Sequence, residues 1–141
     1  MNVEEVHVVT CFLERDGRVA LFRRSSMVGS FQGCWAGVSG YLEEGATPRS
    51  QALTEIMEET GLTEADVELA AAGDVVEVAE DRPGRKWLVH PFRFAVKQAG
   101  KITLDWEHTE FQWMDPGRIG SLNTVPGLAE VWKSVAGDLA E

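Results

Sequence analysis

Glu55, Glu58 and Glu59 fall within five residues of one another. On a helix they occupy i, i+3 and i+4, so the three carboxylates share one face. At about 100° per residue, Ala52, Leu53, Ile56 and Thr60 gather on a different side. Like charges on one face repel, and these lie in the negative half of the helix dipole. Selection for stability alone disfavours this arrangement, and a bound divalent cation reverses its sign. Mg2+ and Mn2+ favour hard oxygen ligands, and Mg2+ keeps waters in its shell. One such water, deprotonated, is a natural nucleophile for phosphorus.

The helix that must carry these groups has its own signals. Thr47-Pro48 supplies an N-cap and a first-turn proline. Gly61 suits the left-handed position that stops a helix. The whole stretch reads GYLEEGATPRSQALTEIMEETGL, from Gly40 to Leu62. It resembles the box of the Nudix hydrolase family, G-x5-E-x7-R-E-U-x-E-E-x-G-U with U aliphatic. Gly40, Glu55, Ile56, Glu58, Glu59, Gly61 and Leu62 match in register. Two positions depart: Ala46 replaces the Glu of the pattern, and Thr54 replaces its Arg. An acidic solvated helix would account for the glutamates. It would not account for the two glycines at those distances.

The resemblance implies a metal set of Ser39 (through its backbone carbonyl), Glu55, Glu58 and Glu59. It gives Glu58 and Glu59 catalytic roles, with Glu58 as a further ligand or a water-activating base. The cofactor implied is Mg2+, with Mn2+ as its substitute. Gly40 is expected to turn the chain so that the Ser39 carbonyl points at the ion. Family members often place a base or an extra ligand in a late acidic loop, where Glu107 and Glu110 stand here. Glu110 is the catalytic candidate, and the alternative is that one of the two partners a backbone amide. In the family, the Glu and Arg missing at Ala46 and Thr54 commonly pair and orient the metal-binding helix. Losing both together is coherent, since losing one would leave a charge unpaired. Glu43 and Glu44 are candidates to stand in for the lost carboxylate.

The rest of the chain bounds the function. It has 141 residues, enough for one domain spanning 1–141 with one core. A formal charge of −10 argues against non-specific nucleic-acid or membrane binding. Arg15, Arg18, Arg23, Arg24, Arg82, Arg85 and Lys86 are the candidates for a local phosphate-binding pocket. No leader-like apolar stretch opens the chain, and Cys11 and Cys34 lack metal spacing, as expected of reduced, buried thiols in a cytoplasmic protein. His7, His90 and His108 are scattered in sequence. Trp35, Trp87, Trp106 and Trp113 are core by default, with one aromatic free to stack on a ligand ring. Dinucleotide, nucleophile-elbow and P-loop patterns are absent, which removes hydride transfer, serine hydrolysis and P-loop chemistry.

Strands are expected at Val6–Leu13, Val19–Arg24, Trp35–Val38, Val75–Ala79, Lys86–Val96, Ile102–Leu104 and Phe111–Met114. Ala65 to Gly73 reads as a connector and residues 81–84 as a turn. Pro91 marks an edge or bulge. Apolar residues at 125, 128, 131, 132, 135 and 139 predict a closing helix over Val125–Leu139. This order gives an α/β or α+β sandwich with a mixed sheet, as in the Nudix fold. The segments VVTCFLERDG, WAGVSGYLEEG and DWEHTEF also look like the Nudix-type domain of some archaeal proteins related to translation-initiation exchange factors. The reading is a Mg2+-dependent hydrolase of a diphosphate linkage in a nucleoside diphosphate derivative or related metabolite. Its partner is that small molecule, and a homodimer is compatible with the family. The alternatives are a Nudix-like module that senses such a ligand without cleaving it, and a purely structural acidic protein.

Overall fold

Strand β1 (Glu4–Arg15) buries every residue from Val9 to Leu13, because both of its faces are covered. It pairs in parallel with β7 (Arg85–Val96) along almost its whole length. Its other edge is shared. The hairpin partner β2 (Arg18–Arg24) pairs only with Leu13–Arg15, and β4 (Val38–Tyr41) takes over at Val8–Cys11. Beyond the hairpin, therefore, β1 and β2 part. The short β3 (Trp35–Ala36) lines the β2 side of this split, and β4 lines the β1 side. Strands β5 (Val67–Ala72) and β6 (Val76–Ala79) follow one another along the far edge of β7, and β8 (His108–Met114) closes on β2. This computed structural model describes residues 3–79 and 84–137.

Helices cover both faces of the mixed sheet, which makes the α+β architecture expected from the sequence. Helix α1 (Pro48–Thr60) lies over Val9, Cys11, Phe22, Val38 and Phe94. Helix α2 (Leu128–Lys133) packs Leu128, Val131 and Trp132 against Phe12, Leu21 and Val89 on the opposite face. Among the described residues no helix is long and apolar enough to cross a membrane.

The ends of α1 are those the sequence predicts. Thr47 Oγ1 accepts from the Ser50 N–H at 3.2 Å, and Ser50 Oγ accepts from the Thr47 N–H at 3.1 Å. Gly61 takes the left-handed conformation, φ 77°, and its N–H returns to the Met57 carbonyl.

Several expectations need correction. Ala65–Gly73 is not a connector, because a 3-10 turn (Glu64–Asp66) leads straight into β5. Alanines with weak strand preference hid its alternation. Ile102–Leu104 forms no strand. The Thr103 N–H donates instead to the Thr60 carbonyl, while Ile102 and Leu104 pack on the α1-side core. Trp35–Val38 is divided between β3 and β4. Pro91 sits inside a strand paired on both sides, where β6 gives way to β5. Its carbonyl accepts from Gly73 on that edge, so its ring nitrogen faces the same gap and no ladder bond is lost. Helix α2 begins only at Leu128. Pro126 disfavours helix at Val125, whose N–H donates to Trp35, and Gly127 is left-handed. Residue 139 and the turn at 81–83 lie outside the described residues. Cys11 is buried, whereas Cys34 is only half-buried.

Thr47→Ala should remove the cap and lower stability by about 1 kcal/mol. Urea denaturation checks this, and an unchanged midpoint would show that the cap is redundant.

Candidate active site

The three helix glutamates have the predicted spacing but not one environment. Glu59 stands about 20° around the helix from Ala52, so it points into the apolar face rather than away from it. It is 2 % exposed, Glu55 is half-buried and Glu58 is exposed. The Glu59 carboxyl meets β8, where Oε1 lies 3.7 Å from His108 Nε2. His108 is itself buried, and its Nδ1 is 3.2 Å from Asp105 Oδ1. Glu59 Oε2 is buried and has no hydrogen-bond partner.

Burial pushes the Glu59 carboxyl up to about 10, and the charges of Glu107, Glu55 and Asp105 push the same way. Burial also raises Glu55 and Glu107, and lowers His108 against the opposing pull of Asp105. Glu59 thus keeps its proton while His108 lacks one, so their approach is not an ion pair.

Gly40 explains how α1 comes so close to β4. It lies in extended strand, not in the sharp turn expected of it. A Cβ there would collide with the Glu55 carboxyl, so glycine is needed for room. Ser39 is its neighbour. The Leu42 N–H donates to the His7 carbonyl, which makes 7 and 42 a hydrogen-bonded pair of the antiparallel ladder. Alternation then turns the Ser39 backbone groups away from β1, out of that ladder.

A cleft of about 650 Å³ is lined by Glu55, Glu58, Glu107, Glu43 and Ser39, while Glu59 lies buried outside its lining. The same lining is also apolar and aromatic, with Tyr41, Trp87, Val89 and Phe31. Tyr41 and Trp87 rings lie 5.8 Å apart and tilted by 31°, and Tyr41 is 59 % exposed. Of the candidate cations among the described residues, only Arg24 lines the cleft. Arg23 lies over Trp35, Arg15 over Trp113 and Arg85 over Trp87, while Lys86 pairs with Glu5 and Glu77. Arg18 stands with Arg15, Asp16 and Trp113 and does not line the cleft. Arg82 lies outside the described residues.

Of the late acids, Glu107 enters the site and Glu110 does not. Strand β8 already begins at His108, so Glu110 is a strand residue. Phe111 and Trp113 pack on the α1 side, and alternation sends Glu110 to the opposite face. In the sequence, Gln51 and Asp105 pass unmarked and His108 is set aside as scattered. Gln51 meets Glu55, and His108 stands between Glu59 and Asp105, contacts that only the polar type of Gln51 on an otherwise core-facing turn could flag. His7 and His90, far apart in sequence, meet across β1 and β7 with ring nitrogens 3.0 Å apart.

These donors suit a hard cation. The unpartnered oxygen of Glu59 and the crowding of carboxyls around it are both relieved by positive charge. Among the described residues no three His, Cys, Asp or Glu side chains converge into a finished cage. Mg2+ needs none, since it takes one or two carboxylates and keeps its waters.

The family model of the NUDIX domain matches residues 4–134. An uncharacterized Nudix hydrolase of Bacillus subtilis (strain 168), YvcI, is 26% identical over 120 residues, 85% of this chain and 72% of that protein. The crystal structure of an Ap4A hydrolase complex from C. elegans superposes with a TM-score of 0.72 at 13% identity, covering 94% of each chain. A MutT protein from Methanosarcina mazei gives 0.71 at 20% identity, again over 94% of each chain. At these identities the two structures are similar in fold.

The raised Glu59 carboxyl has a consequence for the metal-free protein. Between its ordinary value of 4.5 and about 10, the folded state holds a proton that the unfolded state has lost. Stability therefore falls as pH rises through that window. Glu59→Gln lacks this slope, so its stability relative to wild type should grow between about pH 6 and pH 9. Urea unfolding in chelator at both pH values measures it, and a constant difference would mean that Glu59 is ionised in the fold.

Proposed function

This chain belongs to the Nudix hydrolase family, as a Nudix-type pyrophosphohydrolase, and we propose that its cleft uses Mg2+ to cleave a diphosphate linkage in a nucleoside diphosphate derivative or related phosphorylated metabolite. The observation that carries this reading is one cleft lined both by carboxylates, Glu55, Glu58 and Glu107, and by aromatic rings, Tyr41 and Trp87. A diphosphate alone needs only the carboxylates. A substrate with a planar ring uses both.

Glu55, Glu58, Glu59 and the Ser39 carbonyl hold the cation in this reading. When bound, Mg2+ offsets the charge of the diphosphate and lowers the pKa of a coordinated water. To join that ligand set Glu59 would have to give up the proton its burial favours. Glu107 lines the same cleft as Glu55 and Glu58 and is raised by burial, which suits a group that accepts a proton from the attacking water. Glu58, exposed on the same cleft, is the second candidate for that step. Arg24 reaches the cleft from the end of β2, its Nε held by the Ser30 carbonyl at 3.0 Å, and is placed to contact phosphate oxygens. The exposed ring of Tyr41, backed by Trp87, offers a stacking surface for a base. The archaeal likeness of the flanks adds no substrate to this list.

Product analysis over a panel of diphosphates with Mg2+ tests the reading. Glu59→Gln should abolish most turnover. Glu107→Gln should lower kcat by roughly 10²–10⁴-fold with little change in KM. Glu110→Gln should behave as wild type. Tyr41→Ala should raise KM for ring-bearing substrates by about tenfold or more, given roughly 1–3 kcal/mol per stacked base. Cleavage of no diphosphate by the wild type, or a Glu110 effect larger than that of Glu107, contradicts these assignments.

A further inference from the structure

Gln51 is a polar side chain 2 % exposed, one helical turn before Glu55. A buried amide is costly unless its groups are paired, so its partners indicate its role. Its Oε1 accepts from the Glu43 N–H at 3.1 Å. Its Nε2 donates to Glu55 Oε2 at 2.9 Å. Chemistry fixes which way the amide points. Only the oxygen can accept from a backbone N–H, so the nitrogen must face the carboxylate. The reversed amide would set donor against donor at one end and acceptor against acceptor at the other.

Glu55 is thereby held from two sides. One oxygen is bound by Gln51, and the other lies against Gly40, where even a methyl would not fit. The same amide also ties down the loop that carries Glu43, a second residue of the cleft. Nearby side chains take no part in this. Thr54 is exposed and returns its hydroxyl to the Ser50 carbonyl at 3.1 Å, and Ala46 has no polar group to offer.

We propose that Gln51 is a positioning residue that aims the Glu55 carboxylate at the cation and locks it to the loop preceding α1. The proposal rests on the reading of Glu55 as a cation ligand. A neutral donor suits the task. An Arg or Lys at the same distance would compete with the cation for Glu55, whereas an amide orients the carboxylate and leaves its charge available.

Two variants separate positioning from packing. Gln51→Met keeps the length and removes both hydrogen bonds. Gln51→Asn keeps the amide but is one methylene too short to reach both the Glu43 N–H and Glu55. Mn2+ affinity is measured by calorimetry, together with kcat, KM and melting in chelator. Both variants should bind Mn2+ about 10–100-fold more weakly, the usual cost of losing an outer-shell partner. Their kcat should fall while KM stays near wild type. Should Gln51→Met fail to fold, Gln51→Asn decides alone. Wild-type Mn2+ affinity in either folded variant overturns the proposal, because Glu55 would then hold the cation without the amide. A wild-type protein that binds no Mn2+ overturns the underlying reading of Glu55, and is told apart by needing no variant.

Discussion

A carboxyl group inside the hydrophobic face of a helix is the constraint around which this structure is arranged. Glu59 lies among Ala52, Ile56 and Thr60, with one oxygen near His108 and the other without a partner. An ionised carboxylate in such a place costs far more than its neutral form, so without a cation the group keeps its proton. Everything near it deepens the cost. Glu107, Glu55 and Asp105 all add negative charge. A fold selected only for stability would place leucine there. The arrangement becomes favourable when a divalent cation is drawn between the carboxyls, and family membership supplies the chemistry that needs one.

The remaining parts of the site follow from holding that helix close to the sheet. The parting of β1 and β2 leaves room for β4, whose outer edge carries the Ser39 carbonyl. Gly40 lets α1 approach until Glu55 touches the strand. Gln51 hydrogen-bonds Glu55, and the buried His108, paired with Asp105, lies 3.7 Å from Glu59 one turn further along the helix. Catalytic groups must be fixed closely to be effective. Here Glu55 and Glu59 are carried by a helix packed on the sheet, while Glu107 stands in the turn just before β8.

Much of this was legible in the chain. Helix α1 could be bounded to the residue because Thr47, Pro48 and Gly61 act through local backbone geometry, which sequence encodes directly. The family pattern located the carboxylates for the same reason. What failed was non-local. The spacing of Glu55, Glu58 and Glu59 says that they neighbour one another, but not that the sheet covers Glu59 and leaves Glu58 in solvent. Glu107 and Glu110 look equivalent in sequence, and only the start of β8 at His108 separates their faces. A glycine such as Gly40 signals a turn in sequence because it is usually needed for conformation, whereas here it is needed for space. Strand β5 is hard to read because alanines carry little strand signal, and Ile102–Leu104 looks like a strand although its apolar pair packs without joining a ladder.

The central claim is that the buried carboxyl is a liability without a cation and an asset with one. Thermal unfolding of wild type and Glu59→Gln, in chelator and in millimolar Mg2+, tests it most directly. In chelator the variant should melt at or above wild type, since it buries no ionisable group. With Mg2+ the order should invert, because only the wild type gains binding free energy on folding. Equal stabilisation of both proteins by Mg2+ would contradict the account.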